Sequence, residues 1–184
     1  ADMVGSGGKM SIAKFLKTVY IKVEYPGKLV TGETMSQFDD KAATWDQDPR
    51  RIKMAKEIAE AMARKVKLNT QMSAMEFGCG TGLVTMYLAD KVKSITAVDN
   101  SAGMLAVLEQ KIKAHLVHNV EIKHVDLTIE QTLGRSFDLI YSVLALHHIK
   151  DCQSLLAYFK TILNPGGIIA IADLDDEDGT FHLD

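Results

Sequence analysis

The residues with the greatest chemical potential lie in one run, Met75-Glu76-Phe77-Gly78-Cys79-Gly80-Thr81-Gly82, where an apolar stretch leads into glycines spaced G-x-G-x-G. Glycine tolerates positive φ and lets a ligand approach the backbone with no Cβ in the way. Asp99 closes the next apolar run, SITAVD, where a carboxylate can accept both hydroxyl hydrogen bonds of a ribose. Its alternative role, capping the helix that follows, is better filled by Asn100 or Ser101. Asp126 closes KHVDL and either accepts the exocyclic amine of an adenine or caps the segment after it. His147 and His148 follow FDLIYSVLAL, where one imidazole could orient or deprotonate an acceptor hydroxyl, or simply cap and pack the loop.

Spacing separates two kinds of ligand. A dinucleotide fingerprint needs G-x-G-x-x-G, and Leu83 stands where its third glycine would be. Glu76, just before the turn, would repel a pyrophosphate at a helix N-terminus but suits a cation. S-adenosylmethionine carries a sulfonium and an ammonium and has no phosphate. Cys79 lacks a histidine base nearby in sequence, and its small side chain suits a tight turn, so no nucleophilic role is expected of it. His115 and His118 stand three apart, with His124 further on, but no carboxylate completes a site and no metal is predicted. Cys79 and Cys152 are too few for a disulfide framework or a four-cysteine zinc site and read as free thiols.

These residues need a scaffold, and 184 residues suffice for one doubly wound domain. With 47% hydrophobic and 24% charged residues, the composition argues for a packed core and against disorder or a coiled coil. The net charge of −3 provides no basic field for a phosphate backbone, which disfavours nucleic acid as a partner. No apolar run reaches the ~20 residues of a membrane helix, and ADMVGSGGKM lacks a signal-peptide core, so a cytoplasmic protein is expected. Residues 1–10 read as a flexible leader outside the fold. From residue 73 the chain alternates strand candidates (73–77, 94–99, 120–126, 137–143, 167–173) with helix candidates (82–91, 102–116, 152–163), the pattern of a parallel sheet covered on both faces. Upstream, Asp48-Pro49 opens a helix whose Ile52, Ala55, Ile58, Met62 and Val66 share one face. The run 173–178 reads as a solvated acidic loop after the last strand.

EFGCGTG, AVDNS, HVDL, FDLIYSVLALHHI and LNPGGIIAIAD, in this order and spacing, resemble the motifs of a class I S-adenosylmethionine-dependent methyltransferase, over roughly residues 36–178. The resemblance is nearest to the small-molecule, ubiquinone/menaquinone-biosynthesis-like branch. It implies that Gly78, Gly80 and Gly82, with Glu76 and Cys79, line the cofactor. It also implies that Asp99 holds the ribose, with Asn100 also among the cofactor-binding residues, that Asp126 with Leu127 flanks the adenine, and that Ser142 and Val143 border the methionyl side. FDDKAATWD resembles the family's mobile lid, with Phe38 and Trp45 as its aromatics. The implied reaction is in-line transfer of a methyl group to a small molecule, with S-adenosylhomocysteine as product and His147 or His148 as candidate base.

One departure bears on the fold. Such enzymes continue past the fifth strand into a helix and an antiparallel hairpin, whereas this sequence ends at FHLD. The stretches of 18–31 around Pro26-Gly27 read as a hairpin that either replaces those strands, within one chain or by exchange in a homodimer, or sits at the periphery. The expected organisation is therefore 1–34, leader and hairpin, and 35–184, a Rossmann-like methyltransferase domain with its C-terminal strands missing or replaced. Two further readings are a cofactor-binding domain without transferase activity and a nicotinamide-dependent oxidoreductase, the second disfavoured by Leu83 and Glu76.

Overall fold

A computed structural model of the chain describes residues 17–23 and 35–174. The elements run β1 (Lys17–Val23), α1 (Met35–Trp45), α2 (Pro49–Val66), β2 (Ser73–Phe77), α3 (Leu83–Leu88), β3 (Ser94–Asp99), α4 (Ala102–Ala114), β4 (Val120–His124), β5 (Phe137–Val143), α5 (Cys152–Thr161) and β6 (Leu163–Leu174). The strands form one parallel sheet in the order β1-β6-β5-β2-β3-β4. Successive side chains of a strand point to opposite faces, so Ala74, Ile95, Leu139 and Ala170 join Ala59, Met62 and Leu108 in one core layer. Met75, Val98, Ile140 and Ile169 meet Leu155 and Phe159 of α5 in the other. Burial on both faces explains the continuous apolar runs in the sequence.

Local chemistry sets the helix starts. Asp48 accepts the Arg50 N–H at 2.9 Å with Pro49 in the first turn, and Ser101 caps α4 by accepting the Met104 N–H. Ala55, Ile58, Ala59, Met62 and Val66 form the buried face of α2. Ile52 departs from that stripe and is 38% exposed, one turn too near the helix start to reach the sheet. The stretch 82–91 divides into the short α3 and a 3-10 turn at Ala89–Lys91.

The expectation of missing strands requires correction. Residues 17–23 form a strand that pairs in parallel with β6, Lys17 opposite Ile168 through Val23 opposite Leu174. It fills the edge of β6 within one chain and completes a six-stranded parallel sheet, and Ile21 and Val23 are buried in doing so. The strand hydrogen-bonded in parallel to β6 thus belongs to the main sheet of the same chain. The second arm, with Pro26-Gly27, the leader 1–10 and the acidic run beyond Leu174 lie outside the described residues.

Candidate functional site

Sequence order reverses between β2 and β5: the chain moves from β2 to β3 and β4 on one side, then returns to β5 and β6 on the other. Beyond the carboxyl ends of strands at such a switch point the loops diverge and leave a crevice. Here it is a cavity of about 720 Å³, within the range of small-molecule sites. Among its lining residues are Glu76, Gly78, Cys79, Gly80, Asp99, Asn100, Asp126, Leu127, Trp45, His147 and His148. The structure thus brings together most of the residues singled out from sequence. Gly82 and Ser142 are not in the wall, although the Ser142 Oγ is buried with no hydrogen-bond partner among the described residues.

The three glycines serve different purposes. All have positive φ, +69° at Gly78, +53° at Gly80 and +76° at Gly82. A Cβ at Gly78 would lie 2.4 Å from the Ala145 Cβ, and one at Gly82 would lie 2.2 Å from Leu108 Cδ1. Those two glycines permit close packing of the loop on the β5 loop and on α4. At Gly80, which lines the cavity, a Cβ would meet nothing within 4 Å, so packing against the protein does not require a glycine there.

Four of the loop's donors are already used. Gly78 N and Cys79 N donate to Val98 O at 2.9 and 3.1 Å, Gly82 N donates to Cys79 O at 2.8 Å, and Gly80 N donates to Asp99 Oδ2 at 2.7 Å. A pyrophosphate would find none of these four N–H groups, and would face the carboxyl groups of Glu76, Asp99 and Asp126 instead. A nucleoside with hydroxyl and amine donors and a positive charge matches the same lining, so the residues present fit S-adenosylmethionine.

Each acid has its own environment. Asp99 Oδ1 accepts the Ser101 N–H at 2.9 Å while Oδ2 holds Gly80, which locks the glycine loop to the end of β3. Burial pushes the Asp99 carboxyl upward against these bonds. Burial also opposes charge on Asp126, but bonds from Thr128, at 2.5 Å from Oγ1 and 2.9 Å from N, and from Asn100 outweigh it and hold the group below the usual range. The capping alternative for Asp126 is therefore realised, on the cavity wall. Glu76 is buried and accepts bonds from Thr85 Oγ1 and, at 2.9 Å, from Tyr141 Oη. Burial dominates there and raises its pKa from 4.5 to about 7. Burial likewise pushes the Cys79 thiol far above its ordinary value, in keeping with a packing role.

Glu76 carries a stability consequence with a definite sign. In the unfolded chain it ionises near 4.5, and in the fold near 7, so between these values the folded state holds the extra proton and stability falls as pH rises. The fall amounts to roughly 3 kcal/mol and levels off above pH 7. Glu76→Gln keeps an acceptor for Thr85 and Tyr141, so it should flatten this slope and be the more stable protein above pH 7. Asp99, also pushed upward, would leave a smaller residual slope. Urea unfolding at stepped pH checks this, and an unchanged slope would count against it.

The lid sequence forms α1, held at two points. Asp39 Oδ1 accepts bonds from Ser101 Oγ at 2.6 Å and Gly103 N at 2.8 Å, fastening α1 to the start of α4. Asp46 accepts a 2.6 Å bond from Thr81 Oγ1 in the glycine loop and pairs with Lys111. Phe38 and Trp45 stand with ring centroids 5.9 Å apart, and the Arg51 guanidinium lies 3.8 Å over the Trp45 ring. Arg51, like Asp39 and Asp46, was not anticipated from sequence. His148 stacks on His147, centroids 4.0 Å apart, and meets Phe38 edge-on at 5.5 Å. His147 is the more enclosed of the two, its Nδ1 2.7 Å from Asp173 Oδ1 at the end of β6. His124 Nε2 lies 3.1 Å from Asn100 O. Among the described residues no group of three or more His, Cys, Asp or Glu side chains is placed to hold a metal ion.

Comparison with known proteins agrees with this geometry. A family model described as a methyltransferase domain matches residues 75–171, more than half of the chain. The chain belongs to this family, the class I S-adenosylmethionine-dependent methyltransferases. It is 25% identical over 191 residues to an uncharacterised methyltransferase of Schizosaccharomyces pombe, covering 94% of this chain and 66% of that protein. It is 32% identical over 145 residues to the trans-aconitate 2-methyltransferase of Deinococcus radiodurans, covering 76% and 53%. The chain thus spans less than two thirds of these curated relatives. Among solved structures it resembles DhpI in complex with SAH, with TM-score 0.67, 25% identity and coverage of 77% of this chain and 68% of that one. Coclaurine N-methyltransferase, solved with N-methylheliamine and SAH, shares the fold at TM-score 0.59, 24% identity and coverage of 63% and 34%.

Proposed function

We propose that this domain binds S-adenosylmethionine in the cavity at the switch point and transfers its methyl group to a small molecule. The observation that carries this reading is the glycine loop, with the N–H groups of Gly78, Cys79, Gly80 and Gly82 already bonded within the protein, beside a cavity edged by three acids. Asp99 accepts the ribose hydroxyls, Asn100, Asp126 and Leu127 flank the base, and Glu76 faces the cationic end, with Gly78 and Cys79 shaping the loop. Gly82 and Ser142 support this wall from behind. The cofactor supplies an activated methyl group on a good leaving group. The protein therefore contributes chiefly alignment, worth about 7–11 kcal/mol in effective concentration.

The motif string from AVDNS to LNPGGIIAIAD supports a place in the ubiquinone/menaquinone-biosynthesis-like branch. Cys79 and Cys152, both free, fit a reducing cytoplasmic setting. Incubation with methyl-labelled S-adenosylmethionine and a panel of small phenols, carboxylic acids, amines and thiols tests the activity. Label in any product supports transfer, whereas cofactor binding with no labelled product across the panel favours a binding domain.

The lid makes a separate prediction. Trp45 is the sole tryptophan and lines the cavity, so its fluorescence should change as S-adenosylhomocysteine saturates the site. Asp46→Ala removes the tie to Thr81 and Lys111 and should weaken affinity about fivefold, the scale of ~1 kcal/mol for one partly buried polar link. Unaltered emission at saturation would separate α1 from ligand binding.

A further inference from the structure

Resting on that reading, we infer that Arg51 selects the methyl acceptor by holding a carboxylate on a planar body, and that the methyl group goes to a different atom of the same molecule. The residues proposed to hold the cofactor stand at and beyond the ends of β2, β3 and β4. Much of the remaining wall comes from α1, the first turns of α2 and the turn after β5, with Phe38, Trp45, Met54, Ile58 and His148 among its side chains. That part is largely apolar and aromatic, and Arg51 is the half-buried cation within it. Lys150, the other permanent cation of the lining, is exposed and stands next to Asp151 in the chain.

The guanidinium is oriented and has donors to spare. It lies 3.8 Å over the Trp45 ring, so stacking takes one of its faces and leaves its N–H groups pointing outward in its plane. Nη1 donates to Trp45 O at 3.3 Å. Nε and Nη2 have no acceptor among the described residues, and both remain accessible. Arg50 shows what this pair of nitrogens binds: its Nε and Nη2 donate to the two oxygens of Asp48 at 3.0 and 2.8 Å. Arg51 lacks such a partner among the described residues, although it stands in the first turn of α2, where the helix dipole opposes a positive charge. A carboxylate entering the cavity supplies that partner. It suits the site better than a phosphate dianion, because one guanidinium balances one charge and Asp99 and Asp126 share the cavity. The rings of Phe38, Trp45 and His148 suit a planar body beside it. With both carboxylate oxygens occupied by the fork, the attacking atom lies elsewhere on the acceptor. Its lone pair forms the bond to the methyl carbon, the methyl–sulfur pair stays on sulfur, and a hydroxyl or amine releases its proton to water.

Calorimetric titration of the protein saturated with S-adenosylhomocysteine, using hydroxy- and aminobenzoic and -cinnamic acids and their neutral amides, tests the inference. The acids should bind at least about tenfold more tightly than their amides, the scale of one charge-assisted pair. Arg51→Gln should abolish that preference while its Kd for S-adenosylhomocysteine stays within about twofold of the wild type. Arg51→Lys, which keeps the charge without the fork, should recover part of it. With methyl-labelled S-adenosylmethionine, label should enter the acids and resist mild alkali, which cleaves methyl esters. Acids that bind no tighter than their amides, an unchanged preference in Arg51→Gln, label released as methanol, or no labelled acid at all would each overturn the inference. If Arg51→Gln does not fold, the wild-type preference and the alkali test still decide. Failure of the wild type to bind S-adenosylhomocysteine would instead overturn the reading on which the inference rests.

Discussion

Gly82→Ala is expected to cost about 2–5 kcal/mol of folding stability, whereas Gly80→Ala, two residues away, should spare most of the fold and damage ligand binding. At Gly82 two penalties add. A left-handed conformation costs a residue with a Cβ about 1–2 kcal/mol. The new methyl, 2.2 Å from a Leu108 carbon, overpacks a fully buried side chain for about 1–3 kcal/mol more. Against a total of roughly 5–15 kcal/mol for a domain, that loss is severe. At Gly80 only the conformational penalty applies, because the methyl meets no protein atom within 4 Å. It projects instead where the proposed cofactor lies, and affinity should fall at least tenfold. Thermal melts paired with titration calorimetry check both. A Gly82→Ala protein as stable as the wild type, or a Gly80→Ala protein with undiminished affinity, would contradict these separate roles.

Asp99→Ala should weaken S-adenosylhomocysteine binding by about 1.5–3 kcal/mol, roughly ten- to a hundredfold in Kd. Two effects act together: the ribose hydroxyls lose a charged acceptor, and Gly80 N loses the carboxylate that fixes the loop at 2.7 Å. Asp99→Asn retains one acceptor oxygen and should fall between the wild type and Asp99→Ala. Equal Kd values for all three proteins would remove Asp99 from the site.

The parts of this site legible in sequence are those written in contiguous residues. Apolar runs ending in Asp99 and Asp126 mark strands that deliver a carboxylate to the crevice, and the glycine run between β2 and α3 marks the turn beside them. Asp173 closes IIAIAD in the same manner, so a signal for it existed, but it read as the first residue of an acidic loop. The partners Asp39, Asp46 and Arg51 carried no such signal. The roles of Asp39 and Asp46 arise from the docking of α1 on α4 and the glycine loop, contacts across tens of residues that no periodicity encodes, and that of Arg51 from the bend between α1 and α2 that lays its guanidinium over Trp45. The direction of β1 was illegible for a related reason. Pro26-Gly27 suggested a tight turn and hence an antiparallel pair, whereas parallel pairing with β6 depends on a contact with residues about 150 positions away. Gly78 and Gly82 were legible as necessary glycines, yet what each avoids, Ala145 or Leu108, is a property of packing alone.

The central claim is that the crevice accepts a cationic, phosphate-free nucleoside cofactor, and calorimetric titration of the wild-type protein with S-adenosylmethionine and, separately, with NADH tests it most directly. The account predicts saturable binding of one S-adenosylmethionine per chain and no binding of NADH, because Gly78, Cys79, Gly80 and Gly82 have no N–H left for a pyrophosphate. Saturable binding of NADH with none of S-adenosylmethionine would contradict it.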